Sequence, residues 1–187
     1  EVQKNGGKFI MTDSRHTNGT ERVYEASQKL NLKDTDFVIN VQGDEPMINP
    51  QDINNLNILS REKNLKFTTL AYEIKNNKDF KNANIVKVIT KNKISYNLTD
   101  EALNFQRIIK SKNFKNIYQH FGIYLYNLST LKQFIKLEKS QNEINESLEQ
   151  LRAIDNNMKI EVLLANNFSY GIDTKKDLDE YTKLMNK

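Results

Sequence analysis

The chain has 187 residues, enough for a sizeable core, and we treat residues 1–187 as a single domain. Lys and Arg total 28 against 24 Asp and Glu, and this mild net charge of +4, without a dense basic run, suits anionic small molecules better than nucleic acid. Cysteine is absent, which excludes disulfides, thiolate metal sites and a cysteine nucleophile. No apolar run approaches the roughly 18 residues of a membrane span, so we expect a soluble, cytoplasmic protein.

Strand and helix patterns alternate through the first half of the chain. Thr20 is a suitable N-cap for a helix over residues 21–30, in which Val23, Ala26 and Leu30 share one face. The other elements predicted in this half are strands over residues 8–11, 37–41 and 67–72 and a helix that opens at residues 49–52.

The second half continues the alternation. Residues 144–156 predict a helix, because Ile144, Leu148 and Leu151 fall on one face, and the basic, polar residues 108–117 indicate a flexible loop. The remaining elements are strands over residues 85–89, 102–105, 122–126 and 160–164, and helices over 128–136 and around 178–184. Strands that alternate with helices predict an α/β architecture with a mostly parallel central sheet.

The stretch over residues 38–46 organises this pattern. A β-branched run ends abruptly in Gln-Gly-Asp-Glu-Pro, where Gly43 permits close approach of a ligand and Pro46 stops the strand. Asp44 and Glu45 are therefore expected at the carboxyl end of a buried strand, the edge at which open α/β sheets bind ligands. A carboxylate there can hold Mg²⁺ shared with substrate phosphates. For Asp44 alone, a plain polar turn is an equal alternative.

Five segments resemble the 3-deoxy-manno-octulosonate (Kdo) cytidylyltransferase family, also called the CMP-Kdo synthetases. They are, in the family's order, residues 16–22 (HTNGTER), 40–46 (NVQGDEP), 120–124 (HFGIY), 148–152 (LEQLR) and 171–174 (GIDT). The resemblance extends from about residue 6 to about residue 181. It implies a Rossmann-like nucleotide-diphospho-sugar transferase fold with helices on both faces of the sheet. It also implies a homodimer that couples CTP with Kdo, releasing CMP-Kdo and pyrophosphate for lipopolysaccharide synthesis.

The resemblance further implies which residues act. Asp44 and Asp173 take the catalytic role and bind Mg²⁺ as the cofactor. The cytosine and ribose of CTP are held by Asn18, Gly19, Thr20 and Gln42, although the family usually has Ser where this chain has Asn18. The sugar acid is bound by Arg107, His120, Tyr124, Glu149 and Gln150, with Arg107 clamping the Kdo carboxylate because a guanidinium fork matches a carboxylate.

Local patterns alone leave blander alternatives open. Gly19 and Thr20 are also typical of an ordinary helix start, and a lone His120 is more often packed than catalytic. Glu149 and Gln150 lie off the apolar stripe of their helix, where such side chains are usually solvated. Asp173, taken alone, belongs to a turn.

One element of the family pattern has no counterpart in this chain. The family begins with a strand and a basic, glycine-containing loop that grips the CTP phosphates, and no such sequence occurs here. We therefore expect the chain to be a piece of a longer protein, with a true short variant as the alternative, and we expect a monomer of the piece alone to be poorly stable.

Three other functions remain open. The first is a cytidylyltransferase for a related sugar acid, 8-amino-Kdo or a sialic acid. The second is a noncatalytic nucleotide-sugar-binding domain. The third, an RNA-binding domain, is supported only by an isoelectric point near 9.0.

Overall fold

The structure is a computed structural model that describes residues 1–109, 115–169, 171–172 and 174–185. Within those residues no helix has both the length and the apolar character that crossing a membrane requires. Residues 110–114 of the loop predicted over 108–117 lie outside them, as does Asp173.

A six-stranded sheet forms the centre of the molecule. Its strands are β1 (Phe37–Asn40), β2 (Phe67–Glu73), β3 (Lys87–Thr90), β4 (Asp100–Gln106), β5 (Ile117–Asn127) and β6 (Glu161–Leu164). They are arranged in the order β1-β5-β2-β6-β4-β3, and β3 also pairs with β5. The long β5 therefore pairs with β2 along one edge and with β1 and then β3 along the other.

The sheet is mixed, so the expectation of a mostly parallel sheet is wrong for the strands that the structure describes. Among their pairings only β2–β6 is parallel. The sequence misled because β3 and β4 follow each other without a helix and pair as antiparallel neighbours, and because β5 runs against both β1 and β2. Neither arrangement changes the local hydrophobic pattern of a strand.

Helices cover both faces of the sheet, as predicted. They are α1 (Gly19–Lys29), α2 (Pro50–Glu62), α3 (Leu128–Phe134), α4 (Gln141–Glu146), α5 (Leu151–Asp155) and α6 (Lys175–Met185); short 3₁₀ helices also lie at Gln3–Asn5 and, just before β3, at Asn77–Lys81. One core lies under α1, α3 and α5 and contains Phe67, Tyr126 and Phe134. The other lies under α2, where Leu56 packs against Phe121. Alternate side chains of β5 enter the two cores, as the pleat of a strand requires.

Asparagine caps begin the helices beside the sheet edge. The side chain of Asn49 accepts from the backbone amide of Gln51 and Pro50 occupies the first turn of α2, as expected. The cap predicted at Thr20 is wrong. The N-cap is Asn18, whose side chain accepts from the amide of Glu21 at 2.8 Å, and α1 begins at Gly19. Thr20 is inside the helix and almost fully buried, so its hydroxyl serves a contact outside α1.

The helix predicted over residues 144–156 is two helices. Ser147 adopts a left-handed conformation (φ 53°) that ends α4, and α5 begins at Leu151. The break was hidden because Ile144, Leu148 and Leu151 keep helical spacing across it. The pair is joined by Arg152, whose guanidinium donates to both carboxylate oxygens of Glu143 at 2.8 and 2.6 Å, and both side chains are buried.

Residues 8–11, predicted as a strand, pair with none of the strands that the structure describes. Phe9 and Met11 are 51% and 74% exposed. The segment instead runs along α1, where the Lys29 ammonium donates to the carbonyl of Met11 at 2.7 Å. An apolar run has strand composition whether or not a partner strand is present, and this is why the prediction fails here.

The buried pair yields a stability prediction. Replacing Glu143 with Gln leaves the buried Arg152 charge with only the more distant carboxylate of Glu149, at 4.0 Å, and should lower the free energy of unfolding by about 3 kcal/mol in urea titrations. The matched control is Asp34→Asn, which removes the exposed ion pair with Lys132 and should cost less than about 1 kcal/mol. Equal losses in the two variants would contradict a structural role for the buried pair.

Candidate active site

A cleft of about 640 Å³ opens at the carboxyl end of β1. Its walls come from the loop after β1, the segment before β3, the middle of β5, the α4–α5 turn and the segment after β6. The residues that line it are Gln42, Glu45, Asn82, Asn84, Ile85, Val86, Gln119, His120, Phe121, Gly122, Tyr124, Leu148, Gln150, Phe168, Ser169, Gly171, Thr174 and Asp177. Four of the predicted substrate residues are therefore brought together here: Gln42, His120, Tyr124 and Gln150.

Gln42 packs between two glycines at one end of the cleft. A methyl group at Gly19 would lie 3.4 Å from the amide nitrogen of Gln42, and one at Gly122 would lie 3.7 Å from its Cγ. Gly19 is the first residue of α1, and Gly122 lies within β5. The absence of side chains there lets the Gln42 amide approach the amino end of α1, where free backbone N–H groups favour an anionic or carbonyl ligand.

The loop before α1 is held rigidly against that helix. Arg22 donates to the hydroxyl of Thr12 and to the carbonyls of Asp13 and His16 at 3.0–3.2 Å. The carboxylate of Glu25 accepts from the amide of Asp13 and contacts His16. Asn18 uses its side chain to cap α1 and to donate to the carboxylate of Glu21. The segment predicted to hold CTP, residues 18–20, is thus fixed by hydrogen bonds and lies beside Gln42.

Asp44 lies at the predicted sheet edge with an exposed carboxylate. Its carbonyl accepts from the amide of Ile172 at 2.8 Å, and the neighbouring Glu45 accepts from the Ser169 hydroxyl at 2.6 Å. The segment that ends at Ile172 therefore lies directly against residues 44–45. Asp173 follows Ile172 in the chain but lies outside the described residues, so its pairing with Asp44 stays a prediction.

The donors at this edge fit a magnesium ion. Mg²⁺ is usually bound in proteins by one or two carboxylates together with substrate phosphates, and an exposed carboxylate at a cleft mouth supplies such an oxygen. The described residues contain no cluster of three or more side chains able to bind a metal by themselves. A cation here would therefore depend on Asp44 and on the oxygens of a bound nucleotide.

His120 lies on β5 in the wall of the cleft and is held as a neutral acceptor. The Thr69 hydroxyl has one proton, which it donates to the carbonyl of Ile123 at 2.7 Å, so it accepts the N–H of His120 Nε2 at 2.9 Å. Phe105 and Tyr124 pack on the ring. Burial lowers the pKa of His120 to about 3, and Nδ1 remains available as a hydrogen-bond acceptor.

Glu149 joins α1 to the α4–α5 turn through a side-chain hydrogen bond near Tyr124. The Thr20 hydroxyl donates to the carboxylate of Glu149 at 2.8 Å, and Glu149 borders a small cavity with Gln150, Tyr124 and Tyr126. Burial raises the pKa of Glu149 and raises that of Tyr124 well above its ordinary value. The structure thus brings the predicted residues Thr20, Glu149 and Gln150 together, although they come from opposite ends of the chain.

Arg107 lies beside the cleft and binds backbone carbonyls. Its guanidinium donates to the carbonyls of Glu146, Ala83 and Ser147 at 2.9–3.3 Å. Lys87, which is fully buried, donates to the carbonyls of Asn82 and Arg107, both at 2.6 Å. The two cations hold the segment before β3 against the α4–α5 turn. The predicted contact of Arg107 with a sugar-acid carboxylate stays a prediction.

Several cleft residues were missed by sequence reasoning. They are mainly amides and hydroxyls in irregular segments: Asn82, Asn84, Gln119, Ser169 and Thr174. One signal was present, since Lys87 interrupts the apolar run over residues 85–89, where a charge needs buried partners. Asn82 and Asn84 precede that lysine directly.

Comparison with solved structures defines the class of fold. An apo UDP-glucose pyrophosphorylase has a TM-score of 0.66 at 8% identity, covering 98% of this chain and 67% of that one. A CMP:2-keto-3-deoxy-manno-octonic acid synthetase complexed with CTP has a TM-score of 0.85 at 34% identity, covering 98% of this chain and 74% of that one. The fold is that of the nucleotide-sugar transferases.

Sequence comparison narrows the class to a family. The family model described as Cytidylyltransferase matches residues 1–160. The 3-deoxy-manno-octulosonate cytidylyltransferase of Thermodesulfovibrio yellowstonii is 44% identical over 194 residues, which cover 99% of this chain and 76% of that protein. The chain belongs to the cytidylyltransferase family, among the 3-deoxy-manno-octulosonate cytidylyltransferases.

The state of His120 predicts a pH dependence of stability. The unfolded chain takes up this proton near pH 6.5 and the folded chain only near pH 3, so the unfolded state binds more protons between these values. The free energy of unfolding should therefore fall as the pH drops from 6.5, by at most about 1.4 kcal/mol per pH unit from this group.

Urea titrations at pH 7 and pH 5 check this prediction. His120→Asn, which keeps an N–H for Thr69 but cannot titrate, should lose less stability over this interval than the wild type. Identical losses would mean that His120 is charged in the folded protein at pH 5.

Proposed function

We propose that this protein transfers CMP from CTP to Kdo, releasing pyrophosphate. The observation that carries the proposal is that Gln42 and His120 line one cleft. The start of α1 packs against Gln42 at the nucleotide end, and Asp44 lies next to the lining residue Glu45. The names of the relatives support CTP and Kdo as the two substrates.

The reaction is a displacement at the α-phosphorus of CTP. A hydroxyl oxygen of the sugar acid attacks that phosphorus, the bond from the α-phosphorus to the bridging oxygen breaks, and pyrophosphate leaves with the bonding electrons. The proton of the hydroxyl passes to solvent or to a basic group nearby. Such reactions depend mainly on positioning and charge neutralisation, and a bound Mg²⁺, held by Asp44 and Asp173, would supply the neutralising charge.

The residues of the chain then do the positioning. Gln42 and residues 18–20 hold the cytosine and ribose. Nδ1 of the neutral His120 accepts a hydrogen bond from a sugar hydroxyl, since a neutral imidazole cannot neutralise a carboxylate. Gln150 and Tyr124 contribute further donors on the same side of the cleft. The sugar acid is thereby placed on the far side of the α-phosphate from the leaving group.

The cellular setting belongs to the same proposal. The product would serve lipopolysaccharide synthesis, the protein would act in the cytoplasm, and it would be a homodimer.

The test is pyrophosphate release from CTP, Kdo and Mg²⁺ by the full-length gene product, with residues 1–187 assayed beside it. Asp44→Asn should lower kcat at least about 100-fold, because a metal-bridged charge is worth several kcal/mol in the transition state. Asp34→Asn, an exposed carboxylate paired with Lys132, is the matched control and should leave the rate unchanged.

The competing functions separate in the same assay. Release with a sialic acid or 8-amino-Kdo but not with Kdo would reassign the sugar acid. CMP binding without pyrophosphate release, by a folded protein, would indicate a noncatalytic binding domain. Full activity of Asp44→Asn would contradict the role of Asp44.

Arg107 provides a second prediction for the sugar-acid side. Lysine at position 107 can reach only one of the groups that the guanidinium fork contacts. Arg107→Lys should raise the KM for Kdo about tenfold, the equivalent of one bidentate contact, with a smaller effect on the KM for CTP. An unchanged KM for Kdo would show that Arg107 does not set the sugar-acid site.

A further inference from the structure

Asp52 is a buried carboxylate that the proposed reaction does not use directly. It lies in the first turn of α2 and is 1% exposed. One of its oxygens accepts from the amide of Asn166 at 3.0 Å. The other accepts from the backbone amide of Asn167 at 3.1 Å and from its side-chain amide at 3.0 Å.

This set of bonds explains how a charge is tolerated at that depth. Removing a carboxylate from water is costly unless its oxygens find donors, and three N–H donors together with the start of α2 meet that need. Two of the three donors are backbone amides, so the interaction specifies where residues 166–167 lie, largely independently of their side chains. Asp52 therefore fastens the segment after β6 to the helix that follows the Gln-Gly-Asp-Glu-Pro loop.

The far end of the same segment is fastened to the loop itself. The hydroxyl of Ser169 donates to Glu45, and the amide of Ile172 donates to the carbonyl of Asp44. Just before the two residues that Asp52 binds, the amide of Ala165 donates to the carbonyl of Ala71 on β2. Residues 165–167, Ser169 and Ile172 are thus each fixed by a contact outside the segment, and Asp52 holds the point at which the segment leaves the sheet.

We propose that Asp52 is a positioning residue for the divalent cation. By fixing Asn166 and Asn167 it supports the neighbouring contacts of Ser169 with Glu45 and of Ile172 with the carbonyl of Asp44, and so holds the loop that carries Asp44. This inference rests on the proposed function, in which Asp44 and Asp173 share the cation. A carboxylate that must meet a small ion and a bound phosphate together needs a closely fixed position, and a misplacement of about 1 Å costs on the order of 100-fold in rate.

The test compares the wild type with Asp52→Asn in the full-length protein. Asparagine keeps the shape of the side chain but turns one acceptor into an N–H that faces another N–H. The Mg²⁺ concentration for half-maximal pyrophosphate release should rise about 10-fold or more, the usual scale for residues that orient metal ligands. Amide hydrogen exchange over residues 166–172, followed by mass spectrometry without substrate or metal, should also accelerate.

A matched control separates positioning from general stability. Glu143→Gln disturbs another buried carboxylate, whose partner Arg152 lies outside residues 166–172, and should lower stability while leaving the Mg²⁺ midpoint and the exchange over residues 166–172 as in the wild type. Asn167→Ala removes only one of the three bonds to Asp52. It should raise the Mg²⁺ midpoint and the exchange rate by less than Asp52→Asn does, and it keeps the proposal testable if Asp52→Asn does not fold.

The outcomes distinguish the two proposals. An active wild type whose Asp52→Asn and Asn167→Ala variants keep its Mg²⁺ midpoint and exchange rates would overturn the positioning role alone. A wild type that releases no pyrophosphate would overturn the proposed function, and the role of Asp52 in the reaction with it.

Discussion

Two hydrogen bonds join the loop after β1 to the segment after β6, and they bring two walls of the cleft together. They run from the Ile172 amide to the Asp44 carbonyl and from the Ser169 hydroxyl to Glu45. The two segments are more than a hundred residues apart in the chain, so ordering them together costs conformational entropy that local structure cannot offset. The surrounding sheet, with Asp52 buried beneath it, supplies the rigid frame that makes the contact persist.

The opposite wall of the cleft is built on the same principle. Two cations, the buried Lys87 and the half-buried Arg107, donate to backbone carbonyls of irregular segments and fix segments that have no helix or strand hydrogen bonds of their own. Burial lowers the pKa of Lys87, against the attraction of Asp79. Both walls therefore use a buried charge to specify the path of a loop. This is how a mostly regular α/β domain can present amides and hydroxyls at defined positions in a cleft.

Features that depend on neighbouring residues were predictable from the sequence. The β-branched run before Gln42 and the Asn49-Pro50 helix start are local signals, and both elements form where expected, although β1 is mostly half-buried rather than buried. The matched motifs also identified Gln42, His120, Tyr124 and Gln150, which line one cleft. The family membership that those motifs indicated is confirmed by the relatives.

Features that depend on distant partners were not predictable. The direction of strand pairing leaves the alternation of apolar residues unchanged, so the mixed sheet was missed. Thr20 was expected to cap α1, but its hydroxyl bonds to Glu149 across the fold. The break at Ser147 preserved helical spacing on both sides. Asp52 carried no signal at all, because its three partners come from the segment after β6.

The most direct test of the account is a crystal structure of the full-length protein with CTP and Mg²⁺. The account predicts cytosine against Gln42 and the start of α1, with one Mg²⁺ bound by Asp44, Asp173 and phosphate oxygens at about 2.1 Å. The backbone amides of Asn166 and Asn167 should both donate to Asp52. A nucleotide bound elsewhere, or a metal that contacts neither carboxylate, would contradict it.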